Sequence, residues 1–327
     1  LAYTCRIMQR KTISFVLPVY NESAGVRDFH KELSGTFKAL EKKYEVEALF
    51  VNDGSHDGTA EVLREIADVD NRVRVLHFSR NFGHQIAVTA GLDHATGDAI
   101  VIMDTDLQDP PAIALELVRE WEDGHEVVYA QRRSRKDTIF KRATAHAFYK
   151  ILNRLSDTVI PENTGDFRLL DRKAAEAVRQ YRESHRFVRG IAAHVGFKQK
   201  AVLFDRAERT AGETHYPLKR MLRLSADAVV GFSTAPLRLI TKAGFLVSGL
   251  SFLGILYAVS VRIFFAADAV PGWAFMTVAI FFMGGVQMLM LGIIGEYVGR
   301  IYAESKGRPL YIVSSVYSSQ DGKVSKK

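Results

Sequence analysis

Short apolar runs alternate with amphipathic stretches through the first 130 residues. Thr12–Val19, Val46–Val51, Val73–Phe78, Ala99–Met103 and Val127–Ala130 are short, rich in Val, Ile, Leu, Ala and Phe, and set apart by polar or glycine-containing turns, a pattern that predicts strands. The stretches between them carry apolar residues at helical spacing. Such alternation predicts βαβ units, and so an α/β domain with a mostly parallel, Rossmann-like sheet, helices on both faces, and ligands at the carboxyl ends of the strands.

The pattern changes beyond residue 240. Ala243 to Val261 is a run of 19 residues without a charge, and Trp273 to Gly295 is a run of 23. At ~1.5 Å rise per residue the second spans ~35 Å, enough for a hydrocarbon core of ~30 Å, and the first falls slightly short. Glycine recurs along both runs, with serine in the first, as in helices that pack in lipid. The link Asp268-Ala-Val-Pro-Gly272 joins them into a predicted two-helix transmembrane hairpin, about 243–265 and 273–297. Lys219, Arg220, Arg223, Arg238 and Lys242 precede the hairpin, Arg300, Lys306 and Arg308 follow it, and the link has no basic residue. This asymmetry predicts an inner or plasma membrane protein whose termini and large domain are cytoplasmic. Arg262 and Glu296 are expected to snorkel to the interfaces, with an intramembrane role as the alternative.

The predicted organisation is a cytoplasmic α/β domain over 1–212, amphipathic interface helices over 213–241, the spans over 242–300, and a cytoplasmic tail over 301–327 that turns polar after Val316. Residues 137–161 also mix basic and apolar positions, as in a helix resting on a membrane surface or a solvated helix packed on the sheet. The net charge of +7 does not call for nucleic acid: the basic residues cluster beside the spans and no nucleic-acid module is recognisable. Cys5 is the only cysteine, which excludes an internal disulfide and a cysteine metal cluster.

Candidate chemistry falls at the predicted strand ends. Asp104-Thr-Asp106 closes the fourth strand, and two carboxylates one residue apart can hold one hard divalent cation against a diphosphate; a bare Asp-x-Asp also makes an ordinary polar turn. The first strand ends in Pro18-Val-Tyr20-Asn-Glu22 and the second in Asn52-Asp53-Gly54-Ser55-His-Asp57-Gly-Thr59. Asp53 is read as an acceptor for a base or ribose, and Asp57 as a cap for the helix that follows. After the third strand, Ser79-Arg80-Asn-Phe-Gly83-His84-Gln85 puts an arginine and a histidine near any anionic ligand.

In order along the chain, Pro18-Val-Tyr-Asn-Glu22, Asn52-Asp-Gly-Ser55, Ser79-Arg-Asn-Phe-Gly83, Asp104-Thr-Asp-Leu-Gln-Asp-Pro-Pro111 and Gly165-Asp-Phe-Arg168 resemble glycosyltransferase family 2. The branch resembled is the polyisoprenyl-phosphate glycosyltransferases, which include dolichol-phosphate mannose synthases and bacterial GtrB-type glucosyltransferases. Arg206-Ala-Glu-Arg209-Thr-Ala-Gly-Glu213-Thr-His215-Tyr is similar to the Arg-rich Ala-Gly-Glu segment of that branch, with His215 where relatives often have lysine. The resemblance implies a GT-A fold, a nucleotide-sugar donor, Mg²⁺ or Mn²⁺, inversion at the anomeric carbon, and a polyprenyl phosphate acceptor held at the membrane surface. UDP-glucose is favoured as donor and undecaprenyl phosphate as acceptor; GDP-mannose, UDP-N-acetylglucosamine and UDP-aminoarabinose are the alternatives.

On this reading Asp106 and Asp104 ligate the metal with Gln108 as a further oxygen ligand, and Pro18, Tyr20, Glu22, Asp53, Arg80 and Gly83 line the donor site. Asp166 resembles the residue assigned as general base, with orientation of the acceptor or stabilisation of positive charge as its alternatives. Arg168, Arg206, Arg209 and His215 are the candidate phosphate-binding groups, with Arg132 and Arg133 behind them. A homo-oligomer, a tetramer by resemblance, is expected. A processive polysaccharide synthase is disfavoured because no Arg-Trp pair occurs, and a non-catalytic membrane scaffold because the acidic set is intact.

Overall fold

The computed structural model describes residues 10–133, 164–184, 186–205, 235–264 and 272–319. In chain order the elements are β1 (Thr12–Val19), α1 (Val26–Leu40), β2 (Glu45–Asn52), α2 (Thr59–Val69), β3 (Val73–Phe78), α3 (His84–His94), β4 (Ala99–Ile102) and α4 (Ile113–Glu122), followed by β5 (Val127–Arg132), β6 (Thr164–Asp171), α5 (Arg172–Gln180), α6 (Val188–His194), β7 (Gln199–Phe204), α7 (Ala235–Phe264), α8 (Trp273–Ser305) and β8 (Val313–Ser318). The five predicted strands are present with ends within two residues of expectation.

All eight strands form one sheet in the order β7-β5-β6-β4-β1-β2-β3-β8. The β1–β2, β1–β4, β2–β3 and β5–β7 pairs are parallel, while β6 runs antiparallel to both β4 and β5. The centre is buried on both faces, which explains why β1 reads as an almost continuous apolar run, Thr-Ile-Ser-Phe-Val-Leu-Pro-Val. One face packs Phe15, Leu17, Phe50 and Val101 against Phe29, Leu33 and Phe37 of α1 and Leu117 of α4. Asp171 ends β6 and starts α5, accepting from Lys173 N–H at 2.9 Å and from Trp121 Nε1 at 2.8 Å.

On the opposite face α3 lies between the sheet and the α5–α6 region, so it is buried nearly all round. Its close approach depends on Gly91, where an added Cβ would sit 2.1 Å from Val16 Cγ1 of β1. Gly91→Ala is therefore expected to destabilise by about 1–3 kcal/mol, or ~3–10 °C in Tm, measurable by thermal melting.

Two compact units result. The first takes in the described residues from Arg10 to Asp205 and again from Pro309 to Ser319; the second holds α7 and α8, which contact one another. β8 pairs antiparallel with β3 and closes that edge of the sheet. Tyr311 secures the return, stacking on Phe78 with ring centroids 5.3 Å apart and donating to Asp93 at 2.9 Å. Both long helices extend beyond the uncharged runs. Phe282–Ser305 is long and apolar enough to cross a membrane, with mean hydropathy 1.3 and none of it buried, and Leu239–Gly254 is a shorter apolar stretch. The predicted interface helices over 137–161 and most of 213–241 lie outside the described residues.

Candidate active site

The carboxyl ends of β1, β2, β3 and β4 meet at one edge of the sheet, and their loops are tied together by backbone and side-chain hydrogen bonds. Asn21 N–H donates to Ser55 Oγ at 3.0 Å, His56 N–H to Asn21 Oδ1 at 3.0 Å, and Ser23 N–H to Asp57 Oδ2 at 3.1 Å. Asp57 also receives Thr59 N–H at 3.2 Å, the predicted capping role, and these donors hold its carboxyl at about 2 against the opposing effect of desolvation.

Asp53 is tied to the loop that follows β3. Buried at 3% exposure, it accepts Phe82 N–H at 2.7 Å on one oxygen and Gly83 N–H at 2.9 Å on the other. Desolvation raises its carboxyl despite these two donors. The Asp53 carboxylate thus fastens the loop before α3. Gly54 permits this closeness: its φ is +67°, and a Cβ there would lie 2.4 Å from the Arg80 carbonyl carbon.

The remaining donor-site candidates surround this loop. Tyr20 is 44% exposed at the end of β1, whereas Pro18 is buried and its carbonyl accepts from Thr105 Oγ1 at 3.3 Å. Glu22 starts α1 through its carbonyl, and its N–H donates to Thr59 Oγ1 at 3.0 Å. Arg80 is exposed and lies over the Phe82 ring at 4.0 Å.

The acidic cluster follows from strand pairing. Ile102 of β4 is opposite Arg168 of β6, so two residues further along the antiparallel register Asp104 comes opposite Asp166. His84, at the start of α3, reaches both, with Nε2 3.1 Å from Asp166 Oδ2 and 3.5 Å from Asp104 Oδ1. Burial works against its imidazolium, yet the Asp166 hydrogen bond and the two carboxylate charges raise its pKa.

Asp166 is 3% exposed and receives four side-chain contacts. Arg189 approaches with Nε 2.7 Å from Oδ1 and Nη2 3.2 Å from Oδ2, and Oδ2 also meets Gln85 Nε2 at 3.0 Å and His84. Although desolvation opposes ionisation, Arg189 and His84 hold this carboxyl well below the usual carboxylate range. Arg189 was not anticipated. It stands 23 residues beyond Asp166, on a helix that no motif marked.

Asp104 has the opposite character. Its Oδ1 is inaccessible to solvent and accepts no hydrogen bond, and desolvation, opposed by His84 but reinforced by Asp166, Asp106 and Asp109, pushes its carboxyl up to about 6. A crowd of carboxylates with an orphaned buried oxygen fits a divalent cation. Among the described residues no three His, Cys, Asp or Glu side chains form a ready metal cage. Asp106 accepts Gln108 N–H at 3.1 Å in a turn where Leu107 takes a left-handed φ of 56°. Gln108 itself is 6% exposed.

Arg168 is 3% exposed and donates to the carbonyls of Gly165 at 3.0 Å and Asp166 at 3.4 Å, with burial drawing its pKa down to about 10, so it braces the interior of β6. Arg132, at the end of β5, has Nη2 3.8 Å from Asp109 Oδ1 beside Gly165; Arg133 forms an exposed pair with Asp205. Arg206, Arg209 and His215 lie outside the described residues.

Comparison with known proteins now decides the family. The profile of Glycosyl transferase family 2 matches residues 14–179, which include every strand end just described. The chain belongs to glycosyltransferase family 2. Within the family it is 48% identical over 309 residues, 94% of this chain and 95% of the relative, to the uncharacterized glycosyltransferase YkcC of Bacillus subtilis. It is 42% identical to the bactoprenol glucosyl transferase of Shigella phage SfV, covering 93% of this chain and 98% of that protein. Among solved structures, the mannosyltransferase PcManGT from Pyrobaculum calidifontis, in complex with GDP-Man and Mn²⁺, is similar at 17% identity and TM-score 0.48, covering 90% of this chain and 88% of that one.

Proposed function

We propose that this glycosyltransferase moves a hexose, with glucose from UDP-glucose favoured, onto undecaprenyl or another polyprenyl phosphate, inverting the anomeric carbon and releasing UDP. The observation that carries the reading is the cluster of Asp104, Asp106 and Asp166 at the strand ends. Support for the acceptor comes from relatives named bactoprenol glucosyl transferases, whose similarity runs through the long helices as well as the α/β unit.

Asp104 and Asp106 would hold Mg²⁺ or Mn²⁺, whose chemistry is to neutralise the leaving diphosphate. The loops carrying Tyr20, Glu22 and Arg80 would bind the nucleotide, with Asp53 fixing their geometry from below. An acceptor phosphate oxygen forms the new bond to the anomeric carbon while the bond to the diphosphate oxygen breaks. A phosphate monoester with a second pKa of ~6 is largely dianionic at neutral pH, so the attack needs little help from a base. Asp166, already holding its hydrogen-bond donors, is better suited to supply a fixed negative charge beside the developing oxocarbenium ion than to accept a proton.

Membrane attachment through two spans, with the α/β unit and both termini cytoplasmic, is part of the proposal. Parity supports it: β7 precedes the two long helices and β8 follows them, yet both belong to one sheet, so the chain between them crosses a bilayer an even number of times. The basic residues flanking the hairpin favour the cytoplasmic face.

The test is nucleoside diphosphate release by the full-length protein with Mn²⁺, a panel of nucleotide sugars, and a short-chain polyprenyl phosphate. Release is expected only when the lipid phosphate is present, fastest with UDP-glucose. Release indifferent to the lipid would overturn the acceptor assignment, and another preferred sugar would overturn the donor.

A further inference from the structure

We propose that Arg189 is a positioning residue for glycosyl transfer, acting through Asp166; the inference rests on the functional reading above. Three elements converge on one carboxylate. Arg189 ties α6 to β6 through its two contacts to Asp166 and a third from Nη1 to Thr164 O at 3.1 Å. Gln85 ties α3 to both: its Nε2 donates to Asp166, and its Oε1 accepts Val188 N–H at 2.8 Å, one residue before Arg189.

A planar guanidinium fork fixes both the position and the plane of a carboxylate, which a point charge does not. This matters because Asp166 is buried, and a buried carboxylate without its partner either neutralises or moves to find water. Asp104 and His84 are the next groups in the same cluster, so a shift of Asp166 would be felt where the diphosphate departs. Arg189 thus sets where the negative charge of Asp166 points while contacting no reacting atom itself.

The experiment compares wild type, Arg189→Met, Arg189→Lys, Asp166→Asn and the double variant Arg189→Met/Asp166→Asn, all full-length, by lipid-dependent UDP release and by thermal melting. Arg189→Met is expected to lower kcat by ~10²-fold, with donor and acceptor KM within about twofold, because misplacing a catalytic group is a loss in the transition state. Arg189→Lys should recover part of the rate. The double variant should be no slower than Asp166→Asn alone and should melt above Arg189→Met, since an amide needs no counter-charge. Losses that multiply in the double variant would overturn the proposal. So would a raised acceptor KM at unchanged kcat, which would make Arg189 a direct phosphate ligand. Were wild type itself inactive toward polyprenyl phosphate, the functional reading would fail, and the melting cycle would still decide whether Arg189 and Asp166 act as a pair.

Discussion

Asp106→Ala is expected to lower kcat/KM by ~10³-fold or more, because a bound cation contributes several kcal/mol to stabilising a departing diphosphate. Calorimetry should find the Mn²⁺-dependent part of nucleotide binding gone; undiminished binding in the presence of metal would remove Asp106 from the ligand set. Asp104→Asn should lose activity similarly but differ in stability. The Asp104 carboxyl is pushed up to about 6, so keeping it ionised at neutral pH opposes folding, and the amide should raise the Tm of the metal-free protein. The sign is specific: an acid whose folded pKa is raised destabilises above that pKa, and the gain over wild type should shrink as pH falls through 6. Loss of function coupled to gain of stability is what a buried carboxylate kept for function should show.

Asp53→Ala is expected to cost both stability and rate. It leaves the N–H groups of Phe82 and Gly83 without their acceptor, at about 1–3 kcal/mol each, corresponding to a Tm lower by ~5–15 °C. Because His84 follows directly, release of this loop also moves a group that contacts Asp166 and Asp104, and a ~10²-fold fall in kcat is expected. If Asp53 acted only on the nucleotide, the variant would instead raise donor KM and leave the melting temperature almost unchanged. The two measurements separate the roles.

What could be read from the chain differs by kind of residue. β1 to β5 were legible because strands buried in the middle of a sheet have little choice but to be apolar, whereas β7, an edge strand parallel to β5 with alternately exposed residues, was not. β6 was not, because it carries Asp166 and Arg168 on one face in the middle of the strand, and buried polar groups satisfied by neighbours leave no periodic trace. β8 is a short serine-rich edge strand, Val-Ser-Ser-Val-Tyr-Ser, whose composition reads equally well as a tail. Motifs located Asp104 and Asp106, but the division of labour among the carboxylates needed geometry. Asp53 and Asp166 look interchangeable as acidic residues in motifs, yet one grips a loop and the other an arginine. Arg189 had no signature because its partner is reached only by folding α6 back onto β6.

The strand that covers the outer edge of β3 comes late in the chain. β8 follows both long helices in the chain, so during synthesis the outer edge of β3 stays open until the whole helical hairpin has left the ribosome. An open edge is a template for unwanted pairing, and here its closure waits until the residues beyond both helices have been made. A chain broken off within or just after the helices therefore keeps the β3 edge unpaired.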